Sequence, residues 1–459
     1  MWTPDLPTDG TPIFRQLFAA IERSIADGVL PVGARLPPQR ELAERLGVSV
    51  GTVTRAYEEA DRRGLTIGHV GRGTYVTGFE DLDSVRKPSE IIDLSMNCPP
   101  MVAAERLLAE SWGKVRRRRD FLDVFTYAPI EGSAPHRRMA AAWLARTAGL
   151  EESSADRILV TSGCQAAMDL VISHLCRPGD TILAEELTFS GIKAIARQRG
   201  LKLVGIPMDR EGMDPEALAK AARSVPSAVL YTMPTLHNPT GRTMSLSRRK
   251  DVLKVARKAK IRIVEDDNYA VFAERPAEVL PLTSLAPDLC FYVSGLSKSI
   301  APGLRTGFVV APTETAAALL SQAVRAAAYT TQSMGLLIAQ QAIEDGAAEQ
   351  IVKENRRIVY ARNALLRRGL AREETKCALH CSPHIWLSLS ESESERVELK
   401  LFREGVRLTP FAVPRLPGAR ENGLRICVGA PRREEDFRRA VTQLQRALLA
   451  NKADNQAFV

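Results

Sequence analysis

From residue 91 onward the chain repeats one pattern: a short apolar run, a loop, then a helical stretch. RILVT leads into a turn and a helix starting at Cys164, and TILAEE, KLVGIPM, AVLYTMP, IRIVEDD, CFYVSG and GFVVAP follow, with a basic helix predicted around 247–259. Strands buried on both faces read as continuous apolar runs, and parallel neighbours need a crossover helix between them. The alternation therefore predicts a wound, mostly parallel α/β sheet within residues 91–450. A long helical region at about 313–369 precedes HIWLSLS and LRICVG, which read as strands of a small C-terminal subdomain.

The beginning of the chain obeys another period. Ile13, Leu17, Phe18, Ile21 and Ile25 recur at three- and four-residue steps, the mark of an amphipathic helix that Gly28 can end. After Pro37-Pro38 a second helix is predicted over Gln39–Leu46. Gly47 supplies a turn, and Ser49 can cap a third helix that carries Val53, Ala56 and Tyr57 inward and ends near Gly64. LTIGHVGRGTYV then reads as two short strands around a Gly-rich tip, a β-wing. Residues 12–78 thus form a winged helix-turn-helix, and the polar stretch 79–90, with Pro88, reads as a linker.

The 459 residues are too many for one compact core. No basic segment followed by an apolar run opens the sequence, and no stretch of about 18 apolar residues interrupts it, so a cytoplasmic chain without a membrane partner is expected. Seven cysteines lie scattered without a framework of spacings, which suits free thiols. The net charge of +9 lies wholly in residues 79–459, because residues 1–78 hold nine Arg against nine Asp plus Glu.

A helix-turn-helix lays the start of its second helix in the major groove, where short polar side chains meet base edges. Here that edge is SVGTVTR: Ser49, Thr52 and Thr54 are the base-edge candidates and Arg55 faces the DNA backbone, with Arg40 suited to a phosphate. The wing tip offers Arg72 and the backbone of Gly73 to the minor groove.

The densest chemical signal is SGLSKSIAPGLRTG, residues 294–307. A lysine that forms a Schiff base needs an accessible amine of lowered pKa, and Lys298 is the candidate. Arg305, helped by the Ser297 hydroxyl, can set a guanidinium fork on a phosphate. In IRIVEDDNY an acidic side chain, Asp266, can hold a pyridinium N–H, with Tyr269 three residues on. In TLHNPTG, Asn238 can donate to a phenolic oxygen, and in TSGCQAAMDL the turn at Gly163, Cys164 and Gln165 opens a helix whose free N–H groups make an anion site. Each segment meets a different need of pyridoxal 5'-phosphate (PLP).

Residues 12–78, above all LPPQRELAERLGVSVGTVTRAYEE and GRGTYV, resemble the winged helix of the GntR family of bacterial regulators, although Val50 stands where that family often has an arginine. Residues 91–450 resemble the fold-type I, class I aminotransferases. That resemblance implies PLP contacts from Asn238, Asp266, Tyr269, Lys298 and Arg305, and a ring stacked under Phe189. It further implies that Tyr127 reaches the cofactor phosphate of a neighbouring subunit and that Arg425, in GLRICVG, clamps an effector carboxylate. Cys164 and Gly295 depart from the family by replacing hydroxyl residues, which implies weaker phosphate binding, by about 1–3 kcal/mol per bond.

The two parts together resemble the MocR subgroup of GntR regulators. The resemblance implies a domain-swapped, head-to-tail homodimer that binds operator DNA and senses a small amine or a B6 vitamer. An aminotransferase with an accessory DNA-binding domain is the alternative, since a transaminase half-reaction is possible, and PLP acting alone as the signal is a third reading. Cys377, His380, Cys381 and His384 crowd into eight residues and are read as a turn leading into the strand HIWLSLS rather than a metal site. The basic run Lys114 to Arg119 is read as a solvated helix face, with contact to DNA phosphates left open.

Overall fold

The computed structural model describes residues 2–6, 11–31, 34–62, 65–69, 73–76, 91–150, 154–225, 227–273, 280–331, 333–370 and 381–456. The chain divides into two units, Met1–Ile91 and Ile92–Val459. The linker expected at 79–90 lies outside the described residues.

In the smaller unit, α1 (Ile13–Ala26), α2 (Gln39–Leu46) and α3 (Val50–Arg62) precede an antiparallel pair, β1 (Thr66–His69) and β2 (Gly73–Val76). Leu17, Ile21, Leu42, Val53, Ala56 and Tyr57 meet in one buried cluster, so the helical periods read from the sequence converge on one core. Tyr57 keeps its hydroxyl satisfied there by donating to the Pro37 carbonyl at 2.9 Å. Gly47, at φ 63°, ends α2 in the left-handed conformation and makes the tight turn, and the Ser49 hydroxyl accepts from the Thr52 amide at 3.2 Å to cap α3.

The larger unit begins with β3 (Ile92–Asp93), α4 (Val102–Val115), α5 (Ala134–Ala148), β4 (Ile158–Thr161), α6 (Cys164–Leu175), β5 (Thr181–Glu185), α7 (Ser190–Gln198) and β6 (Lys202–Ile206). Next come β7 (Met208–Asp209), β8 (Gly212–Met213), α8 (Pro215–Ser224), β9 (Ala228–Thr232), α9 (Leu246–Ala259), β10 (Arg262–Asp266), α10 (Leu282–Leu285), β11 (Cys290–Gly295) and β12 (Gly307–Val310). It closes with α11 (Glu314–Ala327), α12 (Met334–Glu344), α13 (Ala347–Leu370), β13 (His384–Ser388), α14 (Glu391–Arg403), β14 (Val406–Arg407), β15 (Gly423–Cys427) and α15 (Glu434–Gln456).

Seven strands form one sheet in the order β4-β12-β11-β10-β9-β5-β6, in which β12 alone runs antiparallel to its neighbours. Alternate residues enter different apolar clusters: Leu159, Phe291 and Val309 join one, whereas Val160, Tyr292 and Phe308 join another. The sheet is therefore covered on both faces, which is why its strands read as continuous apolar runs. A smaller assembly pairs β13 with β15 antiparallel and β14 with β3 parallel, so residues 92–93 join the C-terminal elements despite the distance in sequence.

A candidate PLP site and a candidate DNA interface

In a wound sheet the loops at the carboxyl ends of parallel strands gather at one edge, where ligands bind. The turn after β4, the loop after β9, the end of β10 and the turn after β11 carry Gly163, Asn238, Asp266 and Lys298, respectively. Burial lowers the Lys298 pKa, the nearby Arg425 charge adds to this, and the ammonium donates to the Asn97 carbonyl at 2.6 Å. Asp266 is buried, which pushes its carboxyl above the usual range. It accepts from the Tyr231 hydroxyl at 2.7 Å and from the Asn268 amide at 2.6 Å, bonds that favour the ionised form. A carboxylate so held is matched to a cationic ring nitrogen.

Arg425, opposite Trp386 in the β13–β15 pair, donates to Asn238 Oδ1, the Ser95 carbonyl and the Thr409 hydroxyl, each at 2.7 Å. With its oxygen engaged, Asn238 has its Nδ2 left to donate, as a phenolic oxygen requires. Arg305 takes φ 46° and donates to the Ser162 carbonyl at 3.1 Å. Gly163, at φ 91°, faces it, and a Cβ there would stand 2.6 Å from Arg305 Nη2. The Ser297 hydroxyl is buried without a hydrogen-bond partner among the described residues. An orphaned hydroxyl, a guanidinium against a side-chain-free turn and a helix N-terminus are the donors that a phosphate monoester accepts from, so the residues present fit PLP. The bound cofactor supplies an electron-withdrawing ring to which an amine can be joined.

Gly163→Ala is expected to force the Arg305 guanidinium away and to raise the PLP dissociation constant about tenfold or more, from strain and a lost charge-assisted bond. Titration of the apoprotein followed by absorbance measures this, and an unchanged constant would remove Gly163 from the site.

Other expected residues lie differently. Gln165 uses its amide on the Gly191 carbonyl at 3.1 Å. Phe189 is half-buried just ahead of α7. Tyr127 is 79% exposed and packs edge-on against Tyr329, with ring centroids 4.9 Å apart, so within its own chain it lies outside the cluster around Lys298. The sequence reading missed Asn97, Tyr231, Asn268 and His384. Asn268, two residues beyond Asp266, had the only local signal, because a short amide there can turn back onto the carboxylate.

His384 opens β13, as the strand HIWLSLS predicts, and is buried against the Tyr269 ring with centroids 5.0 Å apart. The Asn97 amide donates to its Nδ1 at 2.8 Å and to the Tyr269 hydroxyl at 2.9 Å, and its Nε2 faces the His237 carbonyl at 2.9 Å. Those partners require a neutral ring with the proton on Nε2. Both nitrogens are occupied, and Cys377 and His380 lie outside the described residues.

Burial pushes the His384 pKa down to about 3. Below its ordinary value of about 6.5 the unfolded chain takes up a proton that the folded chain refuses, so this contribution to stability is present above pH 6.5 and is lost as pH falls toward 3. His384→Gln should therefore lose less stability than wild type between pH 6.5 and pH 5, by about 1–2 kcal/mol. Urea midpoints at the two pH values check this, and parallel losses in both proteins would contradict it.

In the smaller unit Arg40 and Ser49 are exposed, and Ser49 and Thr52 hydroxyls lie 2.9 Å apart. Thr54 donates to Gln39 at 2.8 Å, and the Arg55 guanidinium lies 4.4 Å over the Phe14 ring. Gly73 opens β2 at φ 108° against the Arg35 guanidinium, whereas Arg72 lies outside the described residues. The basic run is not a helix face: α4 stops at Val115, Lys114 pairs with Asp345 at 2.7 Å, and Arg118 pairs with Asp120 at 2.8 Å and Glu344 at 3.0 Å. Arg116, Arg117 and Arg119 remain exposed beyond the helix end.

The fold and site define a PLP-binding, aminotransferase-type unit in one chain with a DNA-binding winged helix. Residues 89–444 match the family of class I and II aminotransferases, and residues 14–76 match the bacterial regulatory proteins of the gntR family. The chain is 29% identical to the uncharacterized HTH-type transcriptional regulator YdeF of Bacillus subtilis, over 97% of this chain and 96% of that protein. It is 30% identical to the vitamin B6 salvage pathway transcriptional repressor PtsJ of Salmonella typhimurium, over 66% of this chain and 69% of the repressor. Among solved structures it resembles LysN, an alpha-aminoadipate aminotransferase of Thermus thermophilus complexed with N-(5'-phosphopyridoxyl)-L-leucine, with TM-score 0.70, 26% identity, and coverage of 79% and 93% of the two chains. The chain belongs to the MocR subgroup of GntR regulators, in which a class I and II aminotransferase domain follows the winged helix. Among the described residues no helix is long and apolar enough to cross a membrane.

Proposed function

We propose that this protein binds operator DNA through its winged helix and senses a small amine or a B6 vitamer through PLP held on Lys298. The observation that carries the reading is the nearness of two cations with different tasks. Lys298 donates to the Asn97 carbonyl at 2.6 Å and Arg425 to the Ser95 carbonyl, two residues earlier, at 2.7 Å, so one small molecule carrying an amine and a carboxylate can engage both. Arg40, Ser49, Thr52, Thr54, Arg55, Arg72 and Gly73 form the DNA-facing set, and Tyr127, Gly163, Cys164, Gln165, Phe189, Asn238, Asp266, Tyr269, Ser297 and Arg305 surround the cofactor.

Tyr127 serves the cofactor of a second copy in a head-to-tail, domain-swapped homodimer. Its 79% exposure beside Phe125 and Leu122, each 70% exposed, supports a partner covering this face. Sensing requires that the effector bind one arrangement of the regulator more tightly than another.

The presence of Lys298, Asp266 and Arg425 together also favours a second reading, a competent aminotransferase with an accessory DNA-binding domain. Binding of the purified full-length protein to its own upstream DNA, with and without PLP and a panel of amines, separates the two. Salt-dependent, sequence-specific binding that an amine alters supports the sensor. Steady turnover with a keto-acid acceptor and no specific DNA binding supports the enzyme.

A further inference from the structure

Two departures from the aminotransferase pattern, Cys164 and Gly295, meet in space. The Cys164 thiol lies within hydrogen-bonding range of Asn268 Oδ1, 104 residues away, rather than serving as the replacement for a phosphate-binding hydroxyl that its position suggested. A Cβ built on residue 295 would stand 2.7 Å from Cys164 Sγ and 2.7 Å from the Thr306 carbonyl oxygen. The sulfur and the neighbouring strand thus occupy the volume that a side chain at 295 would need.

We propose that Cys164 is a positioning residue that orients Asp266 through Asn268, and that Gly295 is the space its sulfur requires. The link between them is the Asn268 amide. Its Nδ2 donates to Asp266 Oδ1 at 2.6 Å, so its Oδ1 points away from the carboxylate and needs a donor. The thiol is that donor, and burial raises its pKa, which keeps the S–H proton in place. Without it the amide carbonyl is left unsatisfied, and rotation of the amide would aim a lone pair at the carboxylate. Tyr231 holds the other carboxylate oxygen at 2.7 Å, so Asn268 governs the remaining freedom of Asp266.

The test uses the full-length, PLP-loaded protein and two readouts, the PLP dissociation constant and the pH midpoint of the bound cofactor's visible absorbance. An ionised, well-aimed Asp266 keeps positive charge on the ring nitrogen, which lowers the proton affinity of the nitrogen shared with Lys298. Cys164→Ala is expected to raise the midpoint by about 0.5–1 pH unit, the scale of one hydrogen bond acting on a charge. Cys164→Ser retains a donor and should return the midpoint to near the wild-type value. Asn268→Leu should raise it as Cys164→Ala does, and the double variant should shift it no further, because both break one chain of contacts.

A midpoint unmoved in Cys164→Ala with weakened PLP binding would overturn the proposal and assign the thiol to the phosphate. Shifts that add in the double variant would also overturn it. Asn268→Leu and Cys164→Ser carry the test if Cys164→Ala does not fold, and loss of PLP binding in Cys164→Ser, which keeps the donor, would also overturn the proposal.

Discussion

Lys298→Ala is expected to abolish the visible absorbance that PLP acquires when joined to the protein, and with it any effect of an amine on operator affinity. The amine of Lys298 has one hydrogen-bond partner among the described residues, the Asn97 carbonyl, and its burial lowers its pKa, which favours the neutral, nucleophilic form. Removing the side chain leaves Asp266, Asn238 and Arg305 in place, so PLP still enters the cup but is not anchored. An amine response of about 5–150-fold in DNA affinity, the ordinary range of coupling between two sites, should fall to none, while affinity without effector stays as in wild type. Absorbance spectra and DNA titrations on both proteins check this. A persistent spectrum would refute the assignment of Lys298, and a persistent amine response would move the sensing elsewhere.

Arg249→Leu is expected to destabilise the larger unit by about 3–5 kcal/mol, the cost of leaving a buried charge unpaired. Arg249 is fully buried and donates to the carbonyls of Met244 at 3.1 Å, Leu280 at 3.3 Å and Pro234 at 2.9 Å and to the Thr235 hydroxyl at 3.0 Å. It also stands 3.9 Å from Glu265, whose carboxylate accepts from the amides of Leu282 and Thr283 at 2.8 Å and from the Thr283 hydroxyl at 2.7 Å. Burial raises the Glu265 pKa and Arg249 opposes it, so the variant raises it further.

A carboxyl whose folded pKa is raised binds its proton more tightly in the folded chain. The deficit should therefore be largest above that pKa and shrink as pH falls. Adding Glu265→Gln should recover part of the loss. Thermal and urea unfolding at pH 5 and pH 8 measure both effects, and a deficit independent of pH and of Glu265 would show that lost packing is the cause. Because Glu265 precedes Asp266 on β10, the same pair anchors the strand end that carries Asp266.

Much of this molecule is legible in local order. The helix Gln39–Leu46, the start of α6 at Cys164 and all seven strands of the main sheet follow from hydrophobic period and turn residues. Lys298, Asp266, Asn238 and Arg305 stand out because each ends a strand or follows one, and a wound sheet brings such ends to one edge. His384 is legible as the start of a strand, whereas its place in the site comes from Asn97, 287 residues away. The basic run was read as a helix face because charge carries no signal of where a helix stops.

The sequence by itself determined what depends on neighbours along the chain: the two-part architecture, the parallel strand pattern, the turn at Gly47 and the candidate lysine after β11. Only the tertiary structure decided which polar groups meet. Asn97 reaches Tyr269 and His384, Cys164 reaches Asn268, and β3 pairs with β14, because crossovers and strand order bring distant segments together. Periodicity records which face a residue turns inward. It does not record the partner waiting there, and in a buried site the partner sets each group's protonation and direction.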